Sequence, residues 1–422
     1  MAKPKLALIP AAQGTKLYSV LPSNGTGDFD FTRGSVATRI NAQGLIENVA
    51  SGQSRLDYPM IDGVQKGCPH HILEPARTNL IQYSEDFSGY PTTNLNAISN
   101  QNISPNGSLN GTFLRPTTDN SSHQLYKTTS LTAGTNTLSS FIKAGNYSKF
   151  RFYFFDGTTA HEVYGDSSNG TIHSTNSSVK VENYGNGWYR YSITATNVNY
   201  SVGNYTIRVT DENYQDTWAG NGIDGLYIFG WQFEVGSFPT SYIPTTTTTV
   251  TRSAETASGA GNSTTFNDSE GCLMLEISRL NKADSSSEII SINDGSLSNY
   301  ITLYYNSSGV TYTINFGSTE RNGNFSMSAN NQAIFNKIAL KYKSQDVSLF
   351  VNGFEVDTNS GTLGLTGLNS LEFNHGNDAF DFYGKAKQIQ YFDSILADTQ
   401  LEQLTSWQSF RDMANGQLYT IE

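Results

Sequence analysis

In residues 149–155, Phe150, Phe152 and Phe154 alternate with Arg151, Tyr153 and Phe155. A two-residue period of this kind is satisfied by a strand with one face deeply buried, and a helix would scatter the same rings around its axis. The pattern recurs along the chain. Residues 188–194 read as a strand after the turn Gly185 to Gly187. In residues 226–235 a two-residue period puts Tyr227, Phe229, Trp231, Phe233 and Val235 on one face, which is expected to be core. Further on, Leu273, Leu275 and Ile277 alternate with Met274 and Glu276. Ile338, Leu340 and Tyr342 alternate with Lys337, Ala339, Lys341 and Lys343, which predicts a strand with one wet face. Asn352-Gly353 between residues 347–351 and 354–356 is a strong short-range hairpin signal.

Short alternating strands separated by turn residues predict an all-β chain of two tandem antiparallel β-sandwiches of jelly-roll type. At 422 residues the chain exceeds what one core supports. The expected division is an irregular N-terminal segment over 1–78, a first sandwich over 79–248, a linker over 249–264 and a second sandwich over 265–422. The first segment holds brief strand-like pieces, including a hairpin over residues 37–46 with its loop at 41–44. Its apolar content is too small for a core of its own, so it is expected to pack on a neighbour, a partner chain or a particle. The run Thr245 to Thr249, which leads into and overlaps the expected linker, favours an extended path along a domain surface. One short helix is expected near the C-terminus, capped by Asp398 or Thr399 with Glu402 completing a capping box, and carrying Leu401, Leu404 and Trp407 on one stripe. Docking of that helix in cis is favoured, because a short helix alone is marginal in water.

Bulk properties narrow the function. The net charge of −11, without Lys/Arg runs, disfavours a nucleic-acid partner. No apolar run approaches the roughly 18–20 residues that span a bilayer, so no membrane insertion is expected. Residues 6–12 are too short for a secretory leader and contain Pro10, so synthesis in the cytoplasm is the expectation. The only cysteines, Cys68 and Cys272, give no disulfide framework. Cys68, His70 and His71 hold metal-capable atoms but lack a second ligand pair at zinc spacing.

Ordered motifs then become recognisable. Residues 33–39 (RGSVATR), 44–47 (GLIE), 73–80 (LEPARTNL) and 83–88 (YSEDFS) resemble a module of phage tail and fibre proteins. Residues 141–148, 183–190 and 225–244 match that family's later motifs in order, so the resemblance covers about residues 28–252. It implies a jelly roll similar to carbohydrate-binding modules in a bacteriophage virion protein: a tail or head fibre, spike or decoration at the particle surface. It further implies a homotrimer, attachment to other virion proteins through residues 1–78, and contact with a host-surface glycan. The region 265–412 is similar to concanavalin-like or laminin-G-like sandwiches through residues 336–342, 347–353 and 401–404.

Catalysis finds little support. Glycosidases need two carboxylates roughly 5–10 Å apart, yet Glu276 has no acidic partner at i+2, and Glu234 and Glu355 are solitary. Nucleophile elbows, zinc-protease helices and phosphate loops are absent from the sequence. The expectation is a non-enzymatic protein that presents lectin-like sandwiches for host attachment and requires no cofactor. Three alternatives stand beside it: a decoration or cement protein that binds no glycan, a bacterial or prophage carbohydrate-binding protein, and a cryptic glycan-degrading enzyme. Trp188 and Trp231 read as core. Trp218 and Tyr214, in the polar loop 211–222, are the candidate glycan-binding residues, against a plainer reading in which Trp218 pins the loop to the sheet. Glu85, Asp86 and Glu234 are candidate oxygen ligands for a structural calcium, against solvated or capping carboxylates.

Overall fold

The computed structural model describes residues 3–129, 133–197, 203–280, 288–376 and 380–416. The chain is all-β, with short helices Ala329–Gln332, Asp398–Thr405 and Phe410–Gly416. Two sandwiches are present, but they are nested in sequence. The jelly roll packs a seven-stranded sheet against a six-stranded one around a core that includes Phe150, Phe152, Phe154, Ile207, Trp231 and Phe233. The second sandwich packs a five-stranded sheet, Glu288–Asn293 among its strands, against an eleven-stranded one.

That larger sheet draws on both ends of the chain. Leu6–Gln13 pairs antiparallel with Gly384–Phe392, and Phe29–Thr32 pairs with Thr256–Ser258. His70–Ile72 also joins Gly384–Phe392. Leu6, Leu8, Leu17, Phe29 and Phe31 are buried in the same cluster as Leu273, Leu275 and Leu340. Segment 1–78, too poor in apolar residues to fold alone, therefore finds its core inside this chain, and the jelly roll is inserted between two parts of the second sandwich. The stretch expected as a linker is stitched into structure as well, since Val250–Arg252 pairs with Arg77–Asn79.

Several of the ordered motifs meet at a buried ionic hub. Glu255 accepts from Arg33 Nη1 at 2.7 Å and from Arg55 Nε at 2.8 Å, and it also pairs with Arg55 Nη2. Glu74 pairs with Arg55 at 2.8 Å and Arg252 at 2.9 Å, and it accepts from the Ser241 amide at 2.8 Å. All five ionic side chains lie 0–3% exposed. Burial opposes ionisation of Glu74, but Arg252 and Arg55 outweigh it and hold its carboxyl well below the usual carboxylate range. Burial lowers the affinity of Arg33 and Arg252 for their protons. The hub joins the first segment, the end of the jelly roll and residues 252–255.

The hairpin over residues 37–46 forms, as Ala37–Ile40 paired with Ile46–Val49. Three expectations need correction. First, residues 226–235 do not keep one face in the core. Gly230 has φ +64° and the register with Gly134–Ala144 shifts there, so Phe141 faces Phe229 while Ser139 faces Gln232. The extra residue of a bulge exchanges the faces. Leu226 and Ile228 enter the jelly-roll core ahead of it, as do Trp231 and Phe233 after it. Phe229 instead packs on the outer face with Ile40, Ile46, Phe141, Trp188 and Tyr242. Val235 is exposed. An alanine Cβ at Gly230 would sit 2.9 Å from the Phe141 ring at a backbone angle unfavourable to side chains. Gly230→Ala is therefore expected to destabilise by about 2–4 kcal/mol, read as a lower urea midpoint.

Second, the face of Asn336–Lys343 expected to be wet is covered by the C-terminal helix. Leu401 packs on Ala339, Met274 and Phe350, and Lys341 pairs with Asp398 at 2.6 Å and Asp346 at 2.7 Å. Docking is thus in cis. Third, the N-cap of that helix is Ala397, not Asp398 or Thr399. Alanine has no side chain to accept a bond, so only the return half of a capping box exists: the Ala397 amide donates to Gln400 Oε1 at 3.1 Å.

Candidate functional site

The outer face of the seven-stranded jelly-roll sheet arises from the alternation that builds its core. Phe150, Phe152 and Phe154 are fully buried, so Arg151, Tyr153 and Phe155 point the other way. Across the sheet Arg151 lies between Tyr164 and Arg208, and Arg208 faces Gln124 beyond it. In the next row Tyr153 lies between Glu162 and Thr206. The loop containing Asp216 folds over this floor. Asp211 braces the loop by accepting from the amides of Asn213 at 2.9 Å and Gln215 at 2.7 Å.

One oxygen of Asp216 accepts from both arginines, at 2.6 Å from Arg151 and 2.7 Å from Arg208. Arg151 Nε donates to Glu162 at 2.7 Å, and Arg208 Nε donates to Gln124 at 2.8 Å. Burial opposes the charge on Arg151, but Glu162 and Asp216 prevail and raise its proton affinity. Both guanidinium groups lie over aromatic rings, Arg151 at 4.6 Å and Arg208 at 5.6 Å from the centroid of Tyr153. The arginines are thereby fixed in place. The other oxygen of Asp216 is buried without a partner among the described residues. The result is a rigid floor of alternating donors, acceptors and rings.

The sequence candidates border this floor. Trp218, in Thr217–Ala219, is half-buried. Its Nε1 donates to the Val209 carbonyl at 3.1 Å, and its ring stands edge-on to His123 and Tyr147 at 5.1 and 5.0 Å. This is the geometry of a residue that pins its loop to the sheet. Tyr214 stacks face to face on His173 at 3.9 Å, with Lys149 Nζ 5.6 Å from its centroid. Trp188 and Trp231 are buried.

The calcium candidates do not converge. Glu85 accepts from Asn110 Nδ2 at 2.9 Å, and burial raises its proton affinity against the hydrogen bonds of Tyr242 and Asn110. Asp86 is exposed and accepts from the Ser88 amide at 3.0 Å. Glu234 is fully buried, with both oxygens engaged by Gln232, the Thr240 amide and the Thr240 hydroxyl. Cys68 is exposed while His70 and His71 are buried. Among the described residues no group of three or more His, Cys, Asp or Glu could hold a metal ion.

Arg151, Arg208, Glu162 and Asp216 were not legible as a site in the sequence. The one available signal was an arginine at the open positions of an aromatic alternation. The pairing across four strands that gathers the rest is invisible without the fold.

No family model matches the chain, and no curated protein matches it. Among solved structures, the chain is similar to the CBM40 of the Ruminococcus gnavus IT-sialidase bound to alpha2,3 sialyllactose, at 20% identity and TM-score 0.29 over 35% of this chain and 88% of that one. It is also similar to domain 4 of AbnA, a GH43 extracellular arabinanase from Geobacillus stearothermophilus, in complex with arabinotriose, at 11% identity and TM-score 0.31 over 36% and 73%. A third is the NanB sialidase of Streptococcus pneumoniae, at 16% identity and TM-score 0.29 over 34% and 25%. These likenesses span about a third of this chain and leave the question of a ligand to its own residues.

Proposed function

We propose that this chain is a non-enzymatic glycan-binding protein of a bacteriophage particle, with the outer face of the jelly roll as its binding surface. The observation that carries the binding role is the preorganised floor of Arg151, Arg208, Glu162 and Asp216 set among Tyr153 and Tyr164. Fixed donors and acceptors beside aromatic rings match a sugar, which presents hydroxyls at its edge and C–H groups on its face. The particle, the homotrimer and attachment through residues 1–78 rest on the motif resemblance. Within that segment the exposed Ile9, Tyr18, Val20, Val36 and Val64 are apolar side chains open to a neighbouring subunit.

The purely structural reading also has an observation in its favour, because Arg33, Glu74 and Arg252 are consumed by the buried hub. Binding of the chain to a glycan array, before and after Arg208→Ala and Tyr164→Ala, decides between the two. Affinity in the double variant is expected to fall at least about tenfold, from the loss of a charged hydrogen bond and a ring contact. Unchanged binding would remove this face as the site, and release of reducing sugar would overturn the non-enzymatic assignment.

A further inference from the structure

The five-stranded sheet of the second sandwich turns Ile290, Ile292, Ile301, Leu303, Val310 and Ile314 into the core. Alternation sends the intervening residues to the opposite face, where they register in rows across the strands. Ile289, Tyr304, Thr311 and Asn324 form one row, and Ser291, Thr302, Thr313 and Asn322 the next. Asn293, Tyr300, Asn315 and Glu320 form the third. A merely solvated sheet face carries exposed, mostly charged side chains. With Glu372 and Ser370 of the fifth strand beside Ser291 and Asn293, these rows contain neither lysine nor arginine and two carboxylates, Glu320 and Glu372, and Thr302 and Tyr300 are only 1% and 7% exposed.

The face is concave. His375 stands edge-on to Tyr300 at 4.6 Å, with Phe380 6.1 Å further along and 61% exposed at the rim. They bound a cavity of about 420 Å³, within the roughly 300–1,000 Å³ range of small-ligand sites. Several polar groups in it are unused. Asn324 is occupied with Thr311 at 2.8 Å and Ser308 at 3.1 Å. The Tyr304 and Thr313 hydroxyls and the Asn322 amide have no hydrogen-bond partner among the described residues.

We propose that this face is a second binding site, specific for an uncharged oligosaccharide, with Tyr304 and Phe380 as ring platforms and Asn322 and Thr313 as hydroxyl partners. Chemistry selects this class. Among the described residues no lysine or arginine lines the cavity to hold an anionic glycan or a phosphate, and burial lowers the proton affinity of His375 against the opposing Glu320. An extended peptide recognised by strand addition would need backbone groups at a sheet edge, whereas the cavity lies on side chains over the centre of the sheet. Amides and hydroxyls beside rings provide both kinds of contact that a neutral sugar makes. The inference is independent of the jelly-roll face.

The test is binding of the full chain to a panel of neutral gluco-, galacto- and manno-oligosaccharides. It compares the wild type with Tyr304→Ala/Asn322→Ala, Phe380→Ser and Arg208→Ala. The wild type should bind at least one neutral sugar. The double variant should lose at least about tenfold in affinity with an unchanged melting midpoint, Phe380→Ser should weaken the same ligand, and Arg208→Ala should leave it intact. Absence of any neutral ligand, or full binding by the double variant, would overturn the proposal. So would a dimer dissolved by Phe380→Ser without effect on sugar binding, since the face would then be an interface between copies. Loss of the same ligand in Arg208→Ala alone would assign it to the jelly roll instead.

Discussion

Glu255→Ala should be among the most damaging single substitutions in this chain, lowering stability by about 3–5 kcal/mol and the melting midpoint on the order of 10 °C. The carboxylate lies between Arg33 and Arg55, and both guanidinium groups are fully buried. Its removal leaves one arginine without its ionic partner and the other dependent on Glu74, in a place where water cannot compensate. Glu255→Gln should fall between, because it keeps acceptor capacity and loses charge. The exposed pair Lys16 and Asp30, 3.2 Å apart, supplies the contrast: breaking it should change stability by less than about 1 kcal/mol. Equal urea midpoints for Glu255→Ala and the wild type would show that the hub is not what holds residues 33, 55, 74 and 252 together.

The hub also explains what the sequence could and could not reveal. Two charged residues of the ordered motifs, Arg33 and Glu74, are conspicuous in the sequence, and they invite a functional reading. In the fold they are buried and paired with Glu255 and Arg252 from beyond the jelly roll. Strand periodicity was legible because it depends only on neighbours two residues apart, as in Phe150, Phe152 and Phe154. Nesting of the sandwiches was not, because the pairing of Leu6–Gln13 with Gly384–Phe392 spans nearly the whole chain. Gly230 shows the same limit at short range: one residue in a left-handed conformation exchanged the faces of a strand whose alternation looked continuous.

The candidate site was legible in part for a related reason. Loop 211–222 stands out in the sequence as a polar, aromatic loop, and in the fold it closes over the arginine floor through Asp216. Its conspicuous tryptophan has its Nε1 committed to the Val209 carbonyl, and the ring of Tyr214 is stacked on His173. Aromatic content marks where a loop is anchored as readily as where it binds. The distinguishing information is which polar atoms are left unpaired, and that belongs to the tertiary structure.

Acid should weaken the second sandwich well before its carboxylates titrate. His70 and His71 are buried on the strand that joins Gly384–Phe392. Burial pushes His70 down to about 4, with Lys385 and Lys387 acting in the same direction and Asp57, 3.3 Å away, opposing. Burial and the neighbouring His70 bring His71 to about 3. In the unfolded chain both rings take up protons near 6.5, so between that pH and about 4 the unfolded state binds more protons than the native one. Stability therefore rises with pH across this window and falls as pH drops. The slope is about 1.4 kcal/mol per pH unit for each ring, or on the order of 4 kcal/mol for the pair by pH 5. Glu74 acts lower: its depressed native value makes its contribution decline only as pH falls below the ordinary glutamate range. Urea midpoints at pH 7.5 and 5.0 should thus diverge in the wild type and converge in His70→Asn/His71→Gln, whatever the absolute stability of the variant. An equally steep pH dependence in that variant would assign the acid sensitivity to other groups and leave the two histidines as neutral packing.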